Sequence, residues 1–201
     1  MTMHLRALWL LMLLAAAGVA GCAGPPAGDP ESRTAPPAGD EPSLYDLTLE
    51  LTDQDGHSRH LSDFRGAPFV ASMIYTNCTS VCPRVTADLK GLEAALPADV
   101  RAHTRFVLFS LDPERDSPAA LREFAVSRQL DLDRWTLLAS TPDDMRTLAA
   151  VLGVRFRPEG DGEIAHSAII AVVDSAGVIR HRQVGIAGDR TALLAAVREA
   201  D

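Results

Sequence analysis

The segment PFVASMIYTNCTSVCP, residues 68–83, decides the fold of this chain. Its first half, Pro68 to Tyr75, is almost entirely apolar, and a short apolar run of this kind is typical of a strand buried on both faces. Its second half places Cys78 and Cys82 directly after that strand. We therefore expect the two cysteines to lie where a buried strand ends and a helix begins.

The sequence that follows predicts that helix and a second buried strand. Between Pro83 and Leu96, apolar residues recur at steps of four, three and four, which gives the helix one apolar face. The run from Phe106 to Leu111 is again apolar and predicts a strand. A strand, a helix and a strand in this order form a right-handed crossover with parallel strands.

Two β-hairpins are predicted from glycine-containing turns. The first joins residues 47–51 to 57–61 across a turn that ends at Gly56, and its aspartates require no calcium loop. The second joins Ala168–Val173 to Val178–Arg182.

Three further helices are indicated by local signals. Ser117-Pro118 and Thr141-Pro142 each place a capping hydroxyl before a proline at the first helical position. The second of these helices is expected to stop at Gly153, and a last helix to run from Thr191 to Glu199. The order of elements predicts an α/β, thioredoxin-like fold with an N-terminal β-hairpin and a helical insertion.

Composition excludes several classes of protein. The 201 residues carry 19 Lys+Arg against 27 Asp+Glu, a net charge of −8, and 47% are hydrophobic, which is ordinary for a folded domain. Lys90 is the single lysine, and no basic stripe is available to neutralise phosphates, so we expect no nucleic-acid partner. Nucleotide-binding loops, a nucleophile elbow and a zinc-protease helix are also missing from the sequence.

The N-terminus has the pattern of an export signal. Residues 1–21 contain Arg6, an apolar run and then the small residues Ala20 and Gly21 directly before Cys22. This arrangement resembles the lipobox of bacterial lipoproteins, so we predict a lipoprotein signal peptide and a lipidated Cys22. An ordinary cleaved signal with an incidental cysteine is the alternative.

The predicted location follows from this signal. Residues 22–42 are rich in Pro, Ala and Gly and predict a semi-rigid tether, which leaves residues 43–201 as the folded domain. The protein is expected to be exported and held at a membrane by its lipid anchor, with the domain in the periplasm or another extracytoplasmic space.

The cysteine pair carries the predicted chemistry. At the mouth of a helix, backbone N–H groups and the helix dipole favour thiolate over thiol, so Cys78 and Cys82 are expected to be good nucleophiles and good metal ligands. A purely structural disulfide between them would close a very short loop and stabilise little. Three residues separate the cysteines, where thioredoxin-type oxidoreductases have two, and this spacing allows either a redox disulfide or a soft metal.

A third ligand would favour the metal, and His166 is the candidate. It precedes the strand Ala168–Val173, and in a thioredoxin-like plan this position faces the cysteine motif. Two thiolates and one imidazole suit copper in either oxidation state and leave a coordination position open for ligand exchange. A structural zinc site would require a fourth ligand.

Other polar residues have simpler explanations. Asp112 and Asp116 could form a functional acidic pair near the site, but the preferred interpretation is that Asp112 closes a strand and Asp116 leads into the Ser117 cap. Met73 and Met145 fit core faces. Four histidines are expected to be solvated and not to bind metal: His57, His60, His103 and His181.

Five motifs occur in a characteristic order: the Asp-Gly hairpin, Phe64-Arg65-Gly66, the Cys-x-x-x-Cys-Pro motif from Cys78 to Pro83, the segment Ser110 to Pro118, and His166-Ser167. Together they resemble the Sco/SenC family, the thioredoxin-fold copper chaperones of cytochrome c oxidase assembly. The resemblance covers most of Leu47 to Ala200.

The resemblance implies a mononuclear site for Cu(I) or Cu(II) made by Cys78, Cys82 and His166. It implies delivery of copper to the binuclear centre of cytochrome c oxidase subunit II or to another copper protein, or reduction of that centre's cysteines. Two positions depart from the family pattern, since Thr79 stands in place of a common proline and Ala165 in place of a common aspartate. The missing carboxylate could have oriented His166, so copper affinity or redox potential is expected to differ from relatives.

Three functions remain open on these residues. The first is a copper-binding assembly protein, which is a carrier and not an enzyme. The second is a thiol–disulfide oxidoreductase that works through Cys78 and Cys82 without His166. The third is a thiol peroxidase, which requires rapid sulfenic acid formation at one of the cysteines. His166 favours the first function.

Overall fold

The computed structural model describes residues 41–160, 162–186 and 188–200. The predicted signal peptide (1–21), Cys22 and most of the tether (22–42) therefore lie outside the described residues. Nine strands occur in the described part: β1 Leu51–Asp53, β2 Ser58–Arg59, β3 Phe69–Ile74, β4 Arg105–Ser110, β5 Trp135–Ser140, β6 Phe156–Pro158, β7 Ile164–His166, β8 Ile169–Val173 and β9 Ile179–Val184. Five α-helices accompany them: α1 Val81–Ala95, α2 Ala98–His103, α3 Pro118–Ser127, α4 Pro142–Leu152 and α5 Arg190–Ala200.

Seven of the strands form one mixed sheet in the order β2-β1-β5-β4-β3-β8-β9. The strands β6 and β7 form a separate two-stranded antiparallel sheet, here called the histidine ribbon because β7 ends at His166. The helices α3 and α4 contact β5, while α5 contacts β8, β9 and α1. The fold is the mixed α/β architecture that the sequence predicts.

The fold-deciding segment behaves as expected. All six residues of β3 are buried, and β3 pairs in parallel with β4, with α1 connecting them. The helix α1 begins at Val81, two residues before the predicted start, so Cys82 lies in its first turn. Its buried face includes Val85, Leu89 and Leu92, as the spacing indicates.

The predicted caps are present at both proline-initiated helices. The Ser117 hydroxyl accepts a hydrogen bond from the Ala120 amide at 3.3 Å, and the Thr141 hydroxyl accepts one from the Asp144 amide at 3.2 Å. The helix α4 ends at Gly153, whose φ of 81° lies in the left-handed region that favours glycine.

Both hairpins form, but the first strand of the first hairpin starts later than predicted. The strands β8 and β9 pair antiparallel across the expected turn. The first hairpin pairs β1 with β2, but β1 begins only at Leu51, so most of the predicted strand 47–51 lies before it. The helix α5 covers the predicted span Thr191–Glu199.

The predicted helical insertion is incomplete. Both of its helices form, as α3 and α4, but the strand β5 lies between them. The strand β5 occupies the sheet between β1 and β4 and runs parallel to β4. A short apolar run is ambiguous between strand and buried helix, and this one gives no periodicity signal. The helix α2 and the histidine ribbon are also absent from the sequence-based prediction. Within the described residues, no helix combines the length and apolar character needed to cross a membrane.

Candidate metal centre

The topology of the sheet brings the predicted ligands together at one end of the neighbouring strands β3 and β8. The strands β3 and β8 are antiparallel neighbours, with Ser72 opposite Ile170, and the Ser72 hydroxyl donates to the Ile169 carbonyl at 2.7 Å. The end of β3 therefore lies beside the start of β8. The chain leaving β3 reaches Cys78, and the chain entering β8 comes from His166. The fold thus joins two motifs that are far apart in sequence.

The two cysteines are held by backbone hydrogen bonds at the start of α1. The amide of Cys78 donates to the Tyr75 carbonyl at 3.3 Å, and the amide of Cys82 donates to the Cys78 sulfur, also at 3.3 Å. The N-cap residue, Ser80, makes no side-chain capping bond, so the sulfur of Cys78 serves as an acceptor for this helix terminus. Cys78 is 3% exposed and Cys82 is fully buried, and both are free thiols.

His166 is the third predicted ligand, and it lies beside the two cysteines. Its Nε2 lies 3.7 Å from the Cys82 sulfur, and the ligand atoms of Cys78, Cys82 and His166 all lie within 4.8 Å of one another. The other ring nitrogen, Nδ1, lies 3.3 Å from the Ser167 carbonyl, which can only accept a hydrogen bond. Nδ1 therefore carries the proton, which leaves the Nε2 lone pair facing the cysteines.

This backbone contact takes the orienting role that the sequence leaves open. The expected consequence of Ala165 is the loss of a carboxylate beside His166, and Ala165 is exposed. The Ser167 carbonyl now fixes the imidazole tautomer instead. Burial lowers the pKa of His166, although the Ser167 hydrogen bond opposes this shift, so the imidazole is neutral and ready to bind metal at neutral pH.

The two thiols differ in how readily they lose a proton. Burial alone would raise the pKa of Cys78, but hydrogen bonds from Cys82 and the Ser80 backbone outweigh it, so the pKa of Cys78 is lowered. The pKa of Cys82 is raised, because burial is aided by the neighbouring Cys78 and Asp116 charges. In the metal-free protein Cys78 therefore ionises more readily than Cys82, which keeps its proton to higher pH.

This donor set suits a soft metal. Two sulfurs and an imidazole nitrogen match the ligands that copper accepts, whereas hard cations such as calcium and magnesium take oxygen ligands. The raised pKa of Cys82 means that metal binding must release its proton. Three protein ligands leave room for one exchangeable ligand, which a carrier needs.

Asp116 supports this site from the loop after β4, although the preferred sequence-based interpretation gives it no role there. It is 1% exposed and accepts hydrogen bonds from the Thr76 amide at 3.2 Å, the Thr76 hydroxyl at 2.6 Å and the Ser110 hydroxyl at 2.6 Å. Asp116 thus ties the loop before Cys78 to the end of β4. The prediction that it only leads into the Ser117 cap is incomplete, because Thr76 becomes its neighbour only through the fold. Burial raises its pKa, partly offset by these hydrogen bonds.

Asp112 lies at the end of β4, as predicted. Its amide donates to the Ser110 hydroxyl at 2.9 Å, and its carboxylate forms an ion pair with Arg115. The Arg115 guanidinium also donates to the Gly162 carbonyl at 2.5 Å. Asp112 and Arg115 therefore connect this loop to the histidine ribbon.

A second group of possible ligand atoms is a turn and not a metal centre. Asp53, Asp55 and His57 lie close together, but the Asp53 carboxylate already accepts the amides of Asp55 and His57 at 2.9 Å each and binds Arg59 at 2.7 Å. Asp55 pairs with Arg122. These bonds explain the aspartates of the first hairpin without a cation. Met73 and Met145 lie in the core, as predicted. Of the four histidines expected to be solvated, His57, His60 and His103 are exposed and His181 is half-buried.

Known proteins share sequence and fold with this chain. A curated SCO1 protein homolog of Bacillus subtilis (strain 168) is 29% identical over 143 residues, which are 69% of this chain and 74% of that protein. The crystal structure of a SCO1/SenC family lipoprotein from Bacillus anthracis str. Ames matches with a TM-score of 0.70 and 25% identity, covering 78% of this chain and 95% of that one. Yeast Sco1 with copper bound matches with a TM-score of 0.65 and 22% identity, covering 79% and 88%.

The family profile described as SCO1/SenC matches residues 38–200, which is most of the chain and includes all three candidate ligands. The resemblance drawn from the sequence motifs is confirmed by this match. The chain belongs to the SCO1/SenC family.

Proposed function

We propose that this protein binds one copper ion through Cys78, Cys82 and His166 and carries it to a copper protein of the respiratory chain. The single observation that carries the proposal is the convergence of the three ligand atoms within 4.8 Å. The sequence separates Cys82 from His166 by 84 positions, so this convergence is a property of the fold. The copper ion is cargo, and the protein's own residues supply its binding and release.

The differing thiols support stepwise capture of the ion. The Cys78 thiolate is available first, and the His166 lone pair already faces the site. The Cys82 thiol binds as it loses its proton, which makes tight binding dependent on pH. A client ligand can enter at the open position and displace the protein's ligands one at a time.

The proposed client is the binuclear copper centre of cytochrome c oxidase subunit II. Membership of the SCO1/SenC family supports this choice, because the family acts in cytochrome c oxidase assembly. The test is to mix the copper-loaded protein with the copper-free, reduced copper domain of subunit II, then separate the two and measure copper in each. We expect copper to move to the client. Copper that stays on the carrier would contradict delivery.

A second function, reduction of the client's cysteines, is favoured by the lowered pKa of Cys78. The Cys78 thiolate would attack one client sulfur, form a mixed disulfide and release a client thiolate. The Cys82 sulfur would then lose its proton, attack the Cys78 sulfur and release the second client thiolate. This step leaves a Cys78–Cys82 disulfide and completes the transfer of two electrons to the client. This activity requires no metal and would survive His166→Ala, whereas copper delivery would not. A thiol peroxidase would be excluded by slow reaction of the metal-free protein with peroxide.

We further propose that the protein is exported and anchored at a membrane through lipidated Cys22, with its domain outside the cytoplasm. The signal pattern in residues 1–22 supports this location. Replacing Cys22 with Ser should move the protein from the membrane fraction to the soluble fraction, while the neighbouring change Ala23→Ser should leave it in the membrane. Membrane retention of Cys22→Ser would contradict the lipid anchor.

A further inference from the structure

The histidine ribbon is a small, separate element that carries one of the three ligands. Its strands, β6 and β7, form a sheet of their own in which Phe156 pairs with His166. An isolated two-stranded ribbon is marginally stable in water, so its position depends on contacts with the rest of the domain. The position of His166 therefore depends on whichever side chains hold the ribbon.

Tyr75 is the side chain that joins the ribbon to the cysteine segment. Its hydroxyl donates to the Glu163 carboxylate at 2.5 Å and accepts from the Ile164 amide at 3.3 Å. Glu163 and Ile164 are the residues that lead into His166 along the ribbon. One hydroxyl thus makes a side-chain and a backbone contact at the start of β7.

The same tyrosine also contacts both ends of the metal centre. Its carbonyl accepts the Cys78 amide at 3.3 Å, and its ring lies edge-on to the His166 ring, with 5.9 Å between centroids and 75° between planes. Tyr75 is 2% exposed, so its hydroxyl is shielded from water and its bond to Glu163 competes little with solvent. Burial and the Glu163 hydrogen bond raise the pKa of Tyr75, which keeps the phenol protonated as a donor.

We propose that Tyr75 is a positioning residue for the third metal ligand: its hydroxyl, bonded to Glu163 and Ile164, holds the histidine ribbon so that His166 Nε2 faces Cys82. The inference deepens the proposed copper binding and rests on it for its metal-dependent tests. The backbone of the cysteine pair is held by α1 and β3. The Tyr75 hydroxyl also contacts the Cys78 thiol and contributes to its lowered pKa. Loss of the hydroxyl should therefore affect mainly those properties of the centre that His166 supplies.

The chain offers a matched pair of variants, because it contains two tyrosines and both are buried. Tyr75→Phe keeps the ring and removes the bonds to the ribbon. Tyr45→Phe removes the other hydroxyl, which has no hydrogen-bond partner among the described residues. The control thus has the same chemical change at a site far along the chain from all three ligands.

The first test measures Cu(II) affinity and the nitrogen hyperfine signal of bound Cu(II) by electron paramagnetic resonance. We expect Tyr75→Phe to weaken affinity about tenfold, in the range found when a group that orients a metal-bound histidine is lost. The nitrogen signal should broaden or diminish with it. Tyr45→Phe should match wild type in both measurements. Wild-type affinity and spectrum in Tyr75→Phe would overturn the proposal.

The second test separates positioning from general loosening of the domain. In a His166→Ala background, Tyr75→Phe should weaken copper binding less than it does in wild type, because there is no imidazole left to position and only the contact of the hydroxyl with Cys78 is lost. An equal loss in both backgrounds would overturn the proposal and make Tyr75 a structural residue only. Glu163→Gln, which keeps a carbonyl acceptor, should lie closer to wild type than Glu163→Ala does.

The third test needs no metal and so distinguishes failure of this inference from failure of the proposed function. In the metal-free protein, amide hydrogen exchange of Ile164–His166 should be faster in Tyr75→Phe than in wild type and unchanged in Tyr45→Phe. Unchanged exchange in Tyr75→Phe would overturn the role of the hydroxyl, whatever the copper results. If wild type binds no copper but exchange responds as expected, the proposed function fails and the ribbon contact stands.

Discussion

The candidate metal centre joins two regions that differ in how firmly the fold holds them. The cysteine region lies between a fully buried strand, β3, and a 15-residue helix, α1. The histidine ribbon is a two-stranded sheet outside the main one, and His166 itself is only partly buried. Two ligands are therefore fixed by the core, while the third is placed by a few side-chain contacts from Tyr75 and Arg115.

This difference assigns separate roles to the two regions. The cysteine region supplies the reactive sulfurs, and changes there alter both the chemistry and the core. The ribbon adjusts the centre, since small changes in its contacts alter how the imidazole meets the metal. We expect the strength of copper binding to be set by the cysteines and its fine adjustment by the ribbon.

The largest effect should come from the cysteines. Cys78→Ser and Cys82→Ser should each abolish copper retention through gel filtration, because a hydroxyl is a poor ligand for a soft metal. Copper content per chain is the measurement. Thr79→Ala, an exposed position between the two cysteines, is the control and should retain copper like wild type. Full retention by either cysteine variant would show that the sulfurs are not both ligands.

Loss of the histidine should have a smaller effect than loss of a cysteine. His166→Ala should weaken copper affinity by more than about tenfold. Even the loss of a group that hydrogen-bonds to a metal-bound histidine lowers metal affinity by about that factor. The two sulfurs remain, so some binding should persist. Competition with a copper chelator measures the affinity, and His103→Ala, at an exposed histidine, should leave it unchanged.

The support of the cysteine region predicts a change in stability. Asp116→Ala leaves the Thr76 amide and the hydroxyls of Thr76 and Ser110 without their acceptor, so it should lower the free energy of unfolding by about 1–3 kcal/mol. Urea unfolding of the metal-free protein is the measurement. Asp112→Ala, which removes a partly exposed ion pair with Arg115, should cost less. Equal losses in the two variants would contradict the special role of Asp116.

The smallest expected effect is a difference between the two cysteines in how their alkylation depends on pH. In metal-free Cys82→Ser, alkylation of Cys78 should reach its plateau at a lower pH than an ordinary thiol, because the lowered pKa of Cys78 gives more thiolate at any pH below that value. In Cys78→Ser, alkylation of Cys82 should rise only at higher pH, since burial raises its pKa. The measurement is the rate at which each variant reacts with iodoacetamide across a range of pH. Superimposable profiles would contradict the proposed difference between the thiols.

Much of the fold could be predicted because its signals are local. The buried strand before Cys78, the caps at Ser117 and Thr141 and the glycine at position 153 each depend on a few adjacent residues. The strand β5 could not be predicted in the same way, because six mainly apolar residues carry no periodicity that separates strand from helix.

The candidate ligands could also be predicted, since cysteine spacing and the place of His166 before β8 are readable in sequence. The contacts that hold these ligands in place could not be predicted. Asp116 meets Thr76, and Tyr75 meets Glu163, across 40 and 88 residues, and no linear pattern encodes such pairs. The histidine ribbon cannot be predicted for a related reason, because its strands are three residues each.

X-ray absorption at the copper edge of the loaded protein tests the central claim most directly, because it counts the atoms that bind the metal. We predict two sulfur ligands and one imidazole nitrogen in wild type, with the nitrogen contribution lost in His166→Ala and both sulfurs kept. A wild-type spectrum with sulfur ligands alone, or with nitrogen and oxygen ligands alone, would contradict a centre shared between the cysteine region and the histidine ribbon.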